Sequence, residues 1–525
     1  MRLAPAQLSE FRATSSLLSM ASRFVSGAVA GEARREDERA FQDRLLQLAT
    51  HEEGTPWSAW MLVTGAGRCT THGTGCRNPT QCHVCVLHPA AQSLLLPVAW
   101  DYFVAAGGDG EPHVLREEAA RADELLRQAL AWAPGHPGAL HLATHLWEIA
   151  GDTEVSRAMA QHPLWVRSWL APDQRPRTPP QGRATCEAFG DALASRGGYG
   201  LGHLAHMPSH AYVRVGRWAD AVASNVQAHA LDVAAGRACR TPYAPEHNLA
   251  MLVLAASMEG DVHTALEYAE RKERVRAEAP GFPIASGVDC VTTRFVLVRF
   301  VRWDDVLALP PPGKGCRGGV SSHGGAAVAR AVHHWARLLA LLATERGARG
   351  GGPRTRSLPG APPPLWVAEW DGLRAASDAV PPDLHTAPGQ GKGIYSANNA
   401  ELLEVLLAQA RAALGLAGLE GGDPVEDMAR AVRAEEAIGY REPAVVHQPP
   451  RQCHGAVLLH RGRPQEAREI FAEDLARFPD NPWSLSGLAL ALDALGDAGG
   501  AAEARARAER TWPGHLQPCP ALLPL

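Results

Sequence analysis

Several features that would identify a function at once are absent from this sequence. No run of 18 or more apolar residues occurs, so no segment is predicted to span a membrane as a helix. The 51 basic and 56 acidic residues nearly balance, so no basic excess points to nucleic acid. Aromatic residues make up only 6% of the chain, whereas leucine and alanine are abundant. Because those two residues favour helices over strands, the predicted class is all-α.

Common catalytic and nucleotide-binding motifs are also missing. The sequence has no P-loop, no G-x-G-x-x-G after a strand and no G-x-S-x-G turn. Ten cysteines in 525 residues are too sparse for a scaffold built on disulfides. The default expectation is an intracellular, cytoplasmic protein. The Arg- and Ser-containing segment 1–24 is consistent with either an organellar transit peptide or an amphipathic first helix.

A 34-residue repeat is the main organising feature of the C-terminal region. A glycine, an alanine and a proline each recur after 34 residues, at Gly462 and Gly496, Ala467 and Ala501, and Pro479 and Pro513. This period is typical of tetratricopeptide (TPR) repeats, which are pairs of antiparallel helices. The glycine is expected to end the first helix of each pair, and the proline to end the second.

The same pattern occurs upstream with longer loops. Gly216 and Gly260 each precede an alanine by five residues, at Ala221 and Ala265. The segment Arg302-Trp303-Asp304 resembles the turn at Gly216-Arg217-Trp218, so residues 294–309 are predicted to form a helix hairpin. The predicted fold is therefore a TPR-like α-solenoid of stacked antiparallel helix pairs.

The chain divides into five segments on this interpretation. They are N-terminal helices (1–63), a Cys-rich non-periodic insert (64–92), His-rich TPR-like repeats (93–309), Gly/Pro-rich loops flanking a helix (310–365) and C-terminal TPR-like repeats (366–518).

Histidines are concentrated in the third segment. His141 and His145 are four residues apart, so they share one helix face with Glu148, three residues further on. His206 lies in the approach to a helix that Pro208 begins, and His210 lies in the first turn of that helix. His247 likewise stands at a helix start.

Stacked repeats bring equivalent positions close together, so these histidines are candidate metal ligands. The candidate set is His141, His145, Glu148, His206, His210 and His247. Neutral imidazoles suit zinc, copper and iron alike, so the ion is not specified. The structural alternative is that these histidines cap helices and form hydrogen bonds without binding a metal.

A second candidate site lies in the Cys-rich insert. Cys69, Cys76, Cys82 and Cys85 have the spacing C-x6-C-x5-C-x2-C, and four soft ligands would satisfy tetrahedral zinc. Only the last pair has a standard zinc-knuckle spacing. The alternatives are a zinc site and an insertion that interrupts the helical periodicity.

Several of these strings resemble a group of bacterial and algal TPR proteins. The matching segments include HPGALHLATHLWE, HMPSHAYVRVGRW and HNLAMLVLAASMEG. The resemblance implies a helical-repeat fold with a histidine-rich site, and it implies no particular reaction. The positions that match the family's strings are His136, His141, His145, Glu148, His206, Pro208, His210, His247 and Asn248.

Two main functions are compatible with the sequence. The first is a repeat scaffold that binds a protein or peptide partner, or a small ligand, and carries an embedded polar site. The second is a metal-dependent oxidoreductase or hydrolase that uses the histidines as ligands. A metal-free pocket that binds an anion through its histidines is a third alternative. Nucleic acid is not expected as a partner.

Overall fold

The structure, a computed structural model, contains two compact units, residues 1–185 and residues 186–525. The described residues are 103–105, 113–132, 141–142, 145–146, 187, 190–191, 193–195, 201–237, 245–278, 290–313, 325–347, 363–380, 399–419, 422–438, 443–514 and 516–523. Segment 1–24 and the four clustered cysteines lie outside these residues, so the expectations for them stay predictions.

Unit 1 contains a small hairpin that the sequence analysis did not predict. Strands β1 (Phe103–Ala105) and β2 (His113–Leu115) pair antiparallel, with Phe103 opposite Leu115. The hairpin lies in the segment 93–309, for which helical repeats alone were expected. Valines at the centre of both short strands favour extended backbone, and three residues are too few to show a period. Helix α1 (Glu117–Trp132) follows, with Ala122 on its buried face.

Unit 2 is built of α-helices in its described parts. In chain order they are α2 (Gly202–His206), α3 (Pro208–Val215), α4 (Trp218–Arg237), α5 (Pro245–Glu259), α6 (Val262–Glu278), α7 (Thr292–Arg299), α8 (Trp303–Ala308), α9 (Gly325–Gly347), α10 (Leu365–Asp378), α11 (Asn399–Leu416), α12 (Pro424–Ile438), α13 (Pro450–His460), α14 (Pro464–Arg477), α15 (Pro482–Ala494) and α16 (Ala498–Thr511). Consecutive helices pack against each other. Helices joined by short turns, as at Gly216, Gly260, Gly462 and Gly496, are antiparallel neighbours, so the all-α, TPR-like architecture of stacked helix pairs is confirmed for unit 2.

The repeat landmarks lie where the 34-residue period places them. Gly462 and Gly496 follow α13 and α15 with φ of 68° and 80°, in the left-handed region that glycine adopts most readily. Ala467 and Ala501 are fully buried at the contacts between helices. Gly487 faces the buried Phe471, and a Cβ there would lie 2.3 Å from the phenyl ring, so only glycine permits this close approach.

The turn between α7 and α8 differs from the prediction by one residue. Val301, and not Arg302, takes the place of Gly216, because Val301 has φ of 49° and Arg302 N–H donates to the Leu297 carbonyl. The corresponding Arg217 N–H donates to the Tyr212 carbonyl. The equivalence of Val301 and Gly216 could not be predicted from the sequence, because β-branched residues rarely adopt positive φ.

The C-terminal repeats also pack against the His-rich repeats, far away in sequence. The indole N–H of Trp218 donates to the Pro479 carbonyl at 3.1 Å, and that of Trp483 donates to the Ser257 carbonyl at 3.0 Å. Helices α5 and α15 are in contact. Both indole rings are almost fully buried, so these contacts belong to the core of unit 2.

Two cysteines that are isolated in sequence form a disulfide. Cys453 on α13 is bonded to Cys519, 66 residues later, with the Cα atoms 4.8 Å apart. The bond ties residues 516–523, referred to below as the C-terminal tail, to the repeat that α13 begins. Sequence spacing carries no information about such a pairing, because folding alone brings the two residues together.

Candidate metal centre

Three histidines converge where α2, α3 and α5 meet. His206 is the last residue of α2, and His210 is the third residue of α3, which Pro208 begins. His206 was expected in the approach to the helix that Pro208 begins, but the short helix α2 extends to it, and Pro208 starts the next helix two residues later. His247 is the third residue of α5.

The ring nitrogens of the three histidines have the spacing that a shared ligand requires. One candidate ligand atom from each of His206, His210 and His247 lies within 4.8 Å of the others. His206 Nε2 and His210 Nε2 are 2.7 Å apart. Two imidazoles on one tetrahedral zinc ion have their nitrogens about 3.3 Å apart, so a shift of some tenths of an ångström would admit an ion between them. His206 and His210 are buried, and His247 is half-buried.

Asn225 on α4 determines the tautomer of His206. The Asn225 side-chain amide N–H donates to the Ala221 carbonyl at 2.8 Å, which leaves its oxygen 2.6 Å from His206 Nδ1. A carbonyl oxygen only accepts, so Nδ1 carries the hydrogen. Nε2 of a neutral His206 therefore presents a lone pair towards His210. A hydrogen bond of this kind to the non-ligating nitrogen is the usual way in which proteins orient a metal-binding imidazole.

A buried polar pair supports the start of α5 beside the histidines. Asn248, next to His247, donates from its amide nitrogen to Asp232 on α4 at 2.8 Å. Burial raises the pKa of Asp232 to about 6, and the hydrogen bond from Asn248 opposes that shift. A Cβ at Gly202 would lie 1.9 Å from the Asp232 carboxylate, so α2 approaches α4 closely only because that residue is glycine.

A fourth histidine was missed by the sequence analysis. The His203 ring stacks on His206 with centroids 5.3 Å apart and lies 5.9 Å from His247. The signal was present, because a residue three positions before His206 lies on the same face of a helix. The sequence-based prediction places His206 in the approach to a helix and no helix over residues 202–206, so helical spacing was not applied there.

The remaining predicted ligands belong to unit 1. His141 and His145 point their Nε2 atoms at each other, 3.0 Å apart, and both rings are half-buried. This pair repeats the i, i+4 arrangement of His206 and His210. Glu148 and His136 lie outside the described residues, so their predicted roles are untested.

Comparisons with known proteins give limited information. No protein-family model matches the chain, and no curated protein matches its sequence. Among solved structures, the chain is similar to a monomeric mutant of IFIT1 with m7Gppp-AAAA, at 12% identity and a TM-score of 0.26, over 81% of this chain and 90% of that chain. A score this low carries no argument about function. Among the described residues, no helix has both the length and the hydropathy needed to cross a membrane.

Proposed function

We propose that this protein is a helical-repeat metalloprotein that binds one divalent transition-metal ion through His206, His210 and His247. The observation that carries the proposal is the convergence of three imidazoles within 4.8 Å at helix ends. The oriented His206 ring adds to it, since Asn225 leaves its Nε2 able to coordinate an ion. The resemblance to the His-rich TPR family supports the same site, because its strings contain these three positions.

The donor set favours a catalytic type of site over a purely structural one. Structural zinc sites are closed by four protein ligands, whereas three ligands leave a position for water or substrate. Three neutral imidazoles suit zinc, copper and iron. An ion held in this way would polarise a substrate or activate water or oxygen, as in a metal-dependent hydrolase or oxidoreductase.

A repeat scaffold that binds a protein or peptide partner is the second candidate, and the helical-repeat fold alone supports it. The two candidates are compatible, because stacked helices can present a partner surface beside an enclosed ion. The expectation that nucleic acid is not a partner stays a prediction.

Metal analysis of the purified protein tests the proposal. We expect one equivalent of Zn²⁺, Cu²⁺ or Fe²⁺ after loading and desalting, and a tetrahedral or five-coordinate absorption spectrum when Co²⁺ replaces that ion. His210→Ala and His247→Ala should each weaken binding more than the roughly 10- to 100-fold typical of changes outside the ligand set. His263→Ala is the matched control, because His263 is exposed on α6. Binding that is equally tight in all four proteins would rule the site out.

A further inference from the structure

A line of basic side chains runs along the surface of α9, a helix that is otherwise mostly buried. Between residues 327 and 342, only Arg330, His334 and Arg337 are not buried. Their spacing of four and then three residues places them on one face of the helix, each next to the following one. The solvent-facing line of this stretch therefore consists of two guanidinium groups with an imidazole between them, an arrangement that suits an anion.

Glu369 on α10 orients two of these side chains with one carboxylate. Its Oε2 lies 2.7 Å from His334 Nδ1, and its Oε1 accepts from Arg337 Nε at 2.6 Å. Burial acts to raise the pKa of Glu369, but the hydrogen bonds from His334 and Arg337 outweigh it and hold the pKa below its usual value. The group is therefore ionised at neutral pH, and it holds the imidazole and the guanidinium side by side.

The His334 ring rests against α10 at a glycine. A Cβ at Gly372 would lie 2.6 to 2.8 Å from three atoms of the ring, so a larger residue there would displace the imidazole. Because an ionised carboxylate only accepts hydrogen bonds, Nδ1 of His334 carries a hydrogen, and a neutral ring has its lone pair on Nε2. This nitrogen is open to solvent, and no described residue forms a hydrogen bond with it. A ligand that contacts the neutral ring there must donate a hydrogen.

The two arginines retain N–H groups for a ligand. Arg337 donates to Glu369 through Nε and to the Leu307 carbonyl through one Nη at 3.0 Å. Its second Nη has no acceptor in the described part of the chain, although a guanidinium has five N–H donors. Arg330 is exposed, and none of the described residues pairs with its side chain. Two guanidinium groups against one carboxylate leave the site with a positive charge.

Inorganic phosphate has the combination of groups that this site requires. Near neutral pH it carries negative oxygens that accept hydrogen bonds and also at least one P–OH group that donates. Sulfate has the same tetrahedral shape, but its oxygens only accept. A phosphate monoester loses its last P–OH hydrogen with a pKa of about 6, so at pH 8 it also only accepts. The lone pair on His334 Nε2 should therefore distinguish phosphate from both of these anions.

We propose that the cluster of Arg330, His334, Arg337 and Glu369 binds inorganic phosphate, which donates its P–OH hydrogen to His334 Nε2 and accepts hydrogen bonds from the two guanidinium groups. None of these residues is a proposed metal ligand, so this site and the metal centre can be tested separately.

Equilibrium dialysis against radiolabelled phosphate, at pH 8 and constant ionic strength, tests the ligand class. Unlabelled phosphate, sulfate and phenyl phosphate serve as competitors. We expect phosphate to displace the label at a concentration about tenfold or more below that of either other anion, because only phosphate can donate to the imidazole. Equal potency of phosphate and sulfate, or no binding of the label, would overturn the proposal.

Two substitutions at exposed arginines locate the site. Arg330→Gln should weaken phosphate binding about tenfold or more, the effect expected when a charge-assisted hydrogen bond is lost. Arg510→Gln is the matched control, because Arg510 is equally exposed on α16 and lies outside the cluster. It should bind phosphate like the wild type. Equal affinities in both variants would show that phosphate binds elsewhere, which contradicts the proposal.

His334→Phe tests the role of the imidazole. The substitution keeps a ring beside Gly372 and removes both nitrogens. We expect the preference for phosphate over sulfate to fall to near unity, a change that a general loss of packing would not produce. If this variant does not fold, the competitor comparison on the wild type and the result for Arg330→Gln still decide the proposal.

A variant of the metal centre separates the two sites. His210→Ala removes a proposed metal ligand and should leave phosphate affinity unchanged. Loss of phosphate binding in this variant would place the anion on the metal ion, which would overturn the phosphate site on α9 and support the metal centre. Loss in Arg330→Gln alone would support the phosphate site whether or not a metal is bound.

Discussion

At the scale of single residues, Asn225 has the clearest role in the candidate metal centre. It is fully buried, and its two side-chain atoms have separate partners, one in the α4 backbone and one on His206. The asparagine therefore fixes both the orientation and the tautomer of the imidazole. Its removal should therefore change metal affinity in addition to stability.

We predict that Asn225→Ala weakens metal binding about tenfold or more, because His206 loses the acceptor that holds its hydrogen on Nδ1. Competition with a chelator of known affinity measures the effect. Asn481→Ala is the contrasting control. Asn481 is fully buried, caps α15 by accepting from the Ser484 N–H at 2.9 Å and donates to the Phe478 carbonyl at 2.7 Å, so its loss should cost about 2–3 kcal/mol of stability without changing metal affinity. Unchanged metal affinity in Asn225→Ala would contradict the assigned role.

His447 should make the stability of the fold depend on pH. Burial lowers the pKa of His447 to about 3, and the positive charges of Lys272 and Arg299 act in the same direction. An unfolded histidine has a pKa near 6.5, so the unfolded state gains a proton first as the pH falls. Stability is therefore lost as the pH falls from about 6.5 towards 3.

We predict that His447→Gln reduces the loss of stability between pH 6 and pH 4 by about 2 kcal/mol, as measured by urea unfolding at both values. His263→Gln should leave that loss unchanged, since this side chain is exposed. The pKa of Asp232 is raised to about 6, so its protonation makes the fold more stable as the pH falls. This contribution is the same in the wild type and in His447→Gln, so it does not alter the comparison. Equal losses in the wild type and His447→Gln would refute the prediction.

The sequence predicted part of the candidate centre for physical reasons that can be named. The proline at position 208 placed His210 in the first turn of a helix, and His247 was likewise predicted at a helix start; both lie there. Asn225 was not predicted, because it reaches His206 from another helix, 19 residues away. A contact of that kind depends on how helices pack, which local spacing does not specify.

At the scale of elements, the same turn joins several helix pairs. Glycine with positive φ occupies it at Gly216, Gly260, Gly462 and Gly496, and Val301 occupies it between α7 and α8 with φ of 49°. A left-handed conformation costs a non-glycine residue about 1–2 kcal/mol. Val301 therefore adopts this conformation at a cost in free energy that the glycines avoid.

We predict that Val301→Gly raises the free energy of unfolding by about 1 kcal/mol, because glycine relieves the strained φ. Gly462→Val is the reciprocal variant and should lower it by about 1–2 kcal/mol. Among the described residues, apart from the two chain neighbours of Gly462, no atom lies within 4 Å of a Cβ placed there, so the effect is conformational and not steric. Urea midpoints measure both variants, and shifts of the same sign would contradict the interpretation.

The helices were predictable because their signals repeat. The 34-residue period, the buried alanines and the terminal prolines all recur, so each occurrence supports the others. The β1–β2 hairpin has no such support, since each strand has three residues. The Val301 turn was placed one residue too late, because its sequence contains no glycine to mark the position.

At the scale of the whole of unit 2, contacts distant in sequence bind the repeats together. An idealised solenoid has contacts only between neighbouring repeats. Here Trp483 on α15 donates to the Ser257 carbonyl on α5, and Arg299 donates to that same oxygen. A 34-residue period says nothing about such contacts, so the sequence did not predict them. They should make unit 2 unfold more cooperatively than a linear array does.

The disulfide adds a covalent constraint to this unit. We predict that Cys453→Ala/Cys519→Ala lowers the free energy of unfolding by about 4 kcal/mol under non-reducing conditions, the chain-entropy value for a closed loop spanning 66 residues. Urea unfolding with and without reductant measures it. In reductant, the variant and the wild type should differ only by the small effect of the truncated side chains. A variant as stable as the wild type without reductant would contradict the prediction.

The same bond makes the C-terminal tail a reporter of the redox state of its surroundings. Cys453 and Cys519 are almost fully buried, and Leu522 and Leu523 pack in the same core cluster. Glutathione reduces accessible disulfides in a reducing compartment, whereas secretory compartments preserve them. Reduction of this buried bond therefore requires the tail to open locally. The rate at which a protease cleaves the tail under graded reductant would measure how often that opening occurs.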